Sequence, residues 1–154
     1  MNTKYKIEAD NLAKAIDIAN EVIKTYNPEG WDNNIINFYI KNNLETRDNV
    51  LNPEPKFANL TSLKYAIESV FTSFQESSGK AYDIFWQKIK EAGLPYKREN
   101  KLAKILKRGK INNDLEYNFI VDVMIPYQQE GLIDKNDIIK LNEMIGKFEN
   151  KSKK

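Results

Sequence analysis

At 154 residues, with 41% hydrophobic and 30% charged residues, the chain is long enough to bury a core and too apolar to belong with disordered sequences. It has no Cys and no His, which removes disulfides, thiolate nucleophiles, imidazole bases and metal sites built on sulfur or imidazole. Net charge is only +2, but the stretch from Lys97 to Lys110 holds seven Lys or Arg against Glu99 alone, a local +6 that leaves −4 for the remainder.

In chain order, the N-terminus (MNTKYKIEADN) lacks the apolar stretch of a signal peptide, and no run approaches the length of a membrane span, so a cytoplasmic protein without membrane association is expected. From Asp10 to Tyr26, Leu12, Ala15, Ile16, Ala19, Val22 and Ile23 fall on one helical stripe. Asn27, Pro28, Glu29 and Gly30 form a breaker. Trp31 to Leu44 then carries Ile35, Ile36, Tyr39 and Ile40 at helical spacing. Glu45 to Lys56, with Pro53 and Pro55, is expected to be the longest loop.

Asn59 or Thr61 caps a third helix with Leu63, Ile67, Val70, Phe71 and Phe74 inward. Ser77, Ser78 and Gly79 break or kink it. With Lys80 they resemble half of a phosphate loop, but the first glycine and the preceding strand are missing, and a helix start accounts for them. Ala81, Tyr82, Phe85, Trp86 and Ile89 resume the stripe as far as Gly93.

Lys97 to Lys110 reads as a basic amphipathic helix. Leu102, Ile105 and Leu106 form its inner stripe, and Lys97, Lys101, Lys104 and Arg108 recur on the other side, flanked by Lys107. Gly109 supplies the stop, Ile111 the hydrophobic contact of a Schellman closure, and Asn113 with Glu116 a capping box for the next helix. That helix, Asp114 to Glu130, is so apolar that burial on most sides is expected, with Pro126 kinking it or marking its last turn. After Gly131, Asp134 caps a last helix with Ile138, Leu141, Ile145 and Phe148 inward, Ile133 and Ile138 form a hydrophobic staple, and residues 151–154 form a frayed basic tail. The pattern predicts an all-α fold, an irregular bundle of six or seven helices in a single domain spanning residues 1–150.

The basic stripe is the leading candidate site: Lys97, Lys101, Lys104, Lys107, Arg108 and Lys110 are capable of meeting an acidic protein surface, neutralising nucleic-acid phosphates or simply covering apolar surface with their stems. A helix-turn-helix is the nearest named motif. The helix after the turn, however, begins with Asp114 and Glu116 and continues with Leu115, Phe119 and Ile120, which suits no DNA groove. Trp31, just past a turn, is the aromatic placed to anchor an interface. The carboxylates Glu130, Asp134 and Asp137 lack the glycine and terminal glutamate of a calcium loop, and capping explains Asp134. No catalytic set, cofactor or metal is assigned.

Residues 105–117, ILKRGKINNDLEY, with KFE at Lys147 to Glu149, resemble the C-terminal part of small bacterial helical proteins, some of which are immunity partners of secreted toxins. The resemblance covers at most the last third of the chain. It favours a protein-binding role and assigns no residue a function; with His and Cys absent, no nucleotide or metal motif, and charge segregated on a helical bundle, a non-enzymatic protein-binding module of immunity or antitoxin type is expected. A nucleic-acid-binding accessory protein using the basic helix 97–110 is the alternative.

Overall fold

The computed structural model describes residues 2–152, the side chain of Ser152 excepted; Lys153 and Lys154, the end of the expected basic tail, lie outside the described residues. Among the described residues the chain is all-α: α1 (Thr3–Thr25), α2 (Asn33–Leu51), a 3-10 turn (Pro55–Phe57), α3 (Leu60–Glu76), α4 (Lys80–Glu91), α5 (Ala103–Arg108), α6 (Asp114–Gln129) and α7 (Lys135–Ser152). These gather into two compact units. The first runs to Phe74 and resumes over Lys80–Lys97, and the second joins Gln75–Gly79 to the chain from Arg98 onward. Each has its own hydrophobic core.

The first unit is built on α1, whose Leu12, Ile16, Val22 and Ile23 are wholly buried. Ala9, Ala15 and Ala19 keep that face low, which lets α2 and α4 approach it. α1 begins seven residues earlier than the periodicity predicts, because Asn2 accepts a cap bond from the Tyr5 amide (3.0 Å) and Tyr5 itself is buried. The expected loop over Glu45–Lys56 is a correction: α2 continues through Leu51. Tertiary contacts extend it. Arg47 pairs with Asp17 at 2.9 Å, Asn43 donates to Asn20 at 2.9 Å, Val50 is buried, and the Tyr5 hydroxyl donates to the Val50 carbonyl at 2.9 Å. Only the prolines end the helix. Ile35, expected inward, is exposed on α2.

Asn59 is the cap of α3, accepting from the Ser62 amide at 2.9 Å, and Ser77 to Gly79 separate α3 from α4. An aromatic cluster packs these helices: Phe74 stacks on Phe85 with centroids 3.8 Å apart, Phe71 meets Tyr96 at 4.5 Å, and Trp86 donates its indole N–H to the Phe74 carbonyl at 2.9 Å.

Burial pushes the hydroxyls of Tyr39 and Tyr96 up to about 12, and Glu8 adds to the effect at Tyr96. Because the folded state holds these groups neutral, their contribution is fully present below the ordinary tyrosine pKa near 10.0 and is lost as pH rises through about 12. An alkaline titration should therefore show Tyr39 and Tyr96 ionising late, together with loss of helical circular dichroism. Ionisation of all tyrosines in one early step with helicity intact would contradict this burial.

In the second unit Leu102, Ile120, Val123, Tyr127 and Leu141 are wholly buried, with Ile105, Ile111, Ile133 and Met144 completing the core. The expected basic helix is again a correction: only the six residues of α5 are helical, and Lys97 to Asn100 precede it in an irregular run. The reason is Arg98, which turns inward. Its guanidinium is 3.0 Å from Glu130 and lies 4.9 Å from the centroid of the Tyr127 ring. Asn100 then donates to the Leu132 carbonyl (3.1 Å) and accepts from the Leu102 amide (3.0 Å), bonds that compete with a helix.

Gly109 closes α5 at φ +77°, in the simple left-handed cap rather than the full Schellman pattern, with its amide bonded to the Ile105 carbonyl at 2.9 Å. Asn113 accepts from the Glu116 amide at 2.9 Å, and the Glu116 carboxylate reaches back to the Asn112 amide at 2.9 Å, one residue short of the standard capping box. Replacing Asn113 by Ala should cost about 1 kcal/mol in urea unfolding. A loss below a few tenths of a kcal/mol would mean that the Glu116 side chain holds this turn alone.

α6 departs most from expectation. Only Ile120, Val123 and Tyr127 are buried, whereas Leu115 is 82% exposed and Val121 and Ile125 also face outward. An apolar circumference predicts burial on most sides, but within its unit this helix packs chiefly on α7, which covers one face. Pro126 lies in the last turn, where the missing N–H costs little. Asp134 and Asp137 form a reciprocal capping box (2.8 and 3.0 Å) at the start of α7, with Ile133 and Ile138 packed into the same core. α7 remains helical through Ser152, two residues into the stretch expected to fray.

Candidate functional site

The structure does not bring the predicted site residues together. Trp31 belongs to the first unit, half-buried and edge-on to Tyr39 at 5.2 Å, so part of its ring is committed to the core. Lys97 is exposed and is the last residue of that unit. The remaining cations lie in the second unit, where two of them are already paired. Lys101 contacts Glu99 at 2.9 Å, and that hydrogen bond raises its pKa. Arg108 pairs with Glu116 and donates its Nε to the Lys110 carbonyl at 3.0 Å. Both are turn-building contacts.

Lys104, Lys107 and Lys110 enter no ion pair among the described residues. Lys110 has company that sequence reasoning missed. With Lys147 and Lys151 of α7 it lines a cleft of about 210 Å³, whose remaining walls are Gly109, Ile111, Met144 and Phe148. Lys147 and Lys151 also form no ion pair among the described residues, and all three lysines are exposed. Ile111 and Met144 are buried, so three lysines line a cleft with an apolar floor.

Local sequence places each part. The left-handed Gly109 turns the chain so that Lys110 follows α5 while Ile111 drops into the core. On α7, Lys147 and Lys151 are one helical turn apart and share a face, and Met144 and Phe148, likewise one turn apart, adjoin them. The Phe148 ring is held by stacking on Tyr117 at 5.2 Å, and the Tyr117 hydroxyl donates to Glu149 at 2.6 Å, which raises its pKa. Lys140, a further lysine of α7, donates to the Leu106 carbonyl at 2.6 Å and so ties α7 to the C-terminal end of α5, where a cation is favoured. The available signal is the spacing of Lys147 and Lys151 in sequence, of which only Lys151 falls in the stretch expected to fray.

Comparison with protein-family models, with curated proteins and with solved structures finds no match. Chemistry and geometry must carry the reading. Among the described residues no cluster of acidic side chains is arranged to hold a metal ion, and no helix is long and apolar enough to cross a membrane. The cleft offers cations around an apolar floor, an arrangement that suits a ligand carrying an apolar side chain beside carboxylates.

Proposed function

We propose that this chain is a non-enzymatic protein-binding module that docks an acidic protein surface through Lys110, Lys147 and Lys151, with an apolar side chain of the partner seated on Ile111, Met144 and Phe148. The observation that carries the reading is the combination: unpaired ammonium groups steer an acidic partner, and a desolvated apolar floor supplies the anchor. A phosphate backbone would use the cations and leave the floor empty, which favours protein over nucleic acid.

Within this class the specific form is an immunity or antitoxin-type inhibitor that covers a bacterial toxin's active site. It needs no chemistry of its own, only a stable scaffold and a charged docking face. The class is tested with three fluorescent ligands of equal charge: an acidic peptide carrying one Leu or Trp, the same peptide with Ser in its place, and a short DNA. The anchored peptide should bind most tightly, by about tenfold over the Ser form, and all three should weaken with salt. Equal or tighter binding of DNA would replace this reading with the nucleic-acid alternative. The specific form is tested by co-expression with the product of the adjacent gene, where growth rescue is expected and its absence counts against inhibition.

A further inference from the structure

A cavity of about 560 Å³ lies in the first unit, whereas the docking cleft belongs to the second. Two helix faces look onto it. Thr46, Asn49 and Val50 line it at i, i+3 and i+4 of α2, and Ser62, Tyr65, Ala66 and Ser69 at i, i+3, i+4 and i+7 of α3. The buried part of the wall is Tyr5, Val50 and Leu63, with the Tyr5 hydroxyl donating to the Val50 carbonyl at 2.9 Å. The polar part is open. Thr46 and Ser62 are half-buried, Asn49 and Ser69 are exposed, and the side chains of all four form no hydrogen bond among the described residues. Faces as polar as these would lose hydrogen bonds by packing dry, so the space between them suits water or a polar ligand.

Charge on this wall is already met. Glu54, its one acidic residue, lies 3.8 Å from Lys56, which is not part of the wall, and no Lys or Arg lines the cavity. A charged ligand therefore finds no free counter-charge. The free groups are hydroxyls and an amide, each able both to donate and to accept, and a ligand hydroxyl has the same double capacity. Phe57 has the Lys56 ammonium 5.0 Å from its ring centroid, whereas Tyr65, 69% exposed, has no ring or cation contact among the described residues. Tyr65 thus offers an open ring face, whose negative quadrupole attracts the hydrogens of C–H groups.

We infer that this cavity is a binding site for a neutral sugar, with the C–H face of a pyranose on Tyr65 and its hydroxyls bonded to Thr46 and Asn49 of α2 and to Ser62 and Ser69 of α3. A pyranose suits both kinds of wall because one molecule carries an apolar face and a rim of hydroxyls. The volume falls within the range of small-molecule sites. A phosphate on the sugar would gain nothing, since Glu54 is the only charge it would meet in the wall. The site lies wholly in the first unit and is independent of the docking cleft.

The test is a titration of the isotope-labelled protein with methyl β-D-glucopyranoside, reading the ring signals of Tyr65 and the side-chain amide of Asn49. Three comparison ligands separate the contributions: sorbitol has the hydroxyls without the ring, cyclohexanemethanol has a saturated ring without the rim of hydroxyls, and adenine is a flat aromatic. Saturable shifts with the glucoside are expected, with each comparison ligand at least about fivefold weaker. Tyr65→Ala and Asn49→Ala should each weaken glucoside binding about fivefold. Tyr65→Phe, which keeps the ring, should bind within about twofold of the parent, as should Glu68→Gln, on α3 but outside the cavity wall. Positions 49, 65 and 68 are exposed, and circular dichroism will report that the variants are folded. Shifts that never saturate, equal or tighter binding of any comparison ligand, or unchanged affinity of Tyr65→Ala would overturn the proposal.

Discussion

Replacing Glu130 by Ala is expected to cost about 3 kcal/mol in urea unfolding, a larger loss than deletion of any surface charge of this chain should give. The Arg98 side chain is only 2% exposed and cannot shed its proton, so the folded state must keep a buried cation after its carboxylate is gone. Glu130 is itself 30% exposed, which admits some water and keeps the estimate at the low end for a broken buried pair. The ring of Tyr127 beneath the guanidinium compensates only in part. A double replacement, Arg98→Met with Glu130→Leu, should recover most of the loss because it removes the buried charge along with its partner. If the single variant were as stable as the parent, Arg98 would not be the device that turns Lys97 to Asn100 out of helix.

Reversal of the three cleft lysines together, Lys110→Glu, Lys147→Glu and Lys151→Glu, should lower affinity for the anchored acidic peptide by about a hundredfold or more at low salt, with most of the difference lost near 1 M salt. Reversal of Lys104 and Lys107 on α5 should lower it only about threefold, since those side chains are exposed on the same unit but do not line the cleft. None of the five makes an ion pair among the described residues, so neither set should remove a native contact of that kind. Thermal melts of both sets check this. Equal losses from the two sets would make the attraction a general field effect rather than a site.

Elements were legible where a local device wrote them. Asn59, Gly109, Asn113 and Asp134 all act as the sequence predicts, because a cap or a left-handed turn is settled by a few neighbouring residues. The end of α2 was not legible, since Glu45 to Leu51 has middling propensity and is held helical by Asp17, Tyr5 and the burial of Val50, partners distant in the chain. α5 failed in the opposite direction. Its periodic lysines and leucines suggest a helix from Lys97, yet the inward turn of Arg98 decides the matter, and no periodicity announces a buried arginine.

The same asymmetry governs the site. Charge density along the sequence pointed to the stretch from Lys97 to Lys110, and the structure keeps Lys110 from it at the cleft while engaging Lys101 and Arg108 in local pairs. The other two cations come from α7, nearly forty residues away in sequence, and only folding joins them to Lys110. Apolar content was equally ambiguous: in α6 it reads as burial, but Leu115, Val121 and Ile125 remain outside because one neighbouring helix covers one face.

The most direct measurement is a methyl-labelled titration with the anchored acidic peptide, following Met144 and Ile111 on the cleft floor alongside Val121 and Ile125 on the exposed side of α6. Met144 and Ile111 should shift first and most, saturably, and the Ser-substituted peptide should leave them nearly unmoved. Shifts confined to Val121 and Ile125, or identical responses to both peptides, would contradict it.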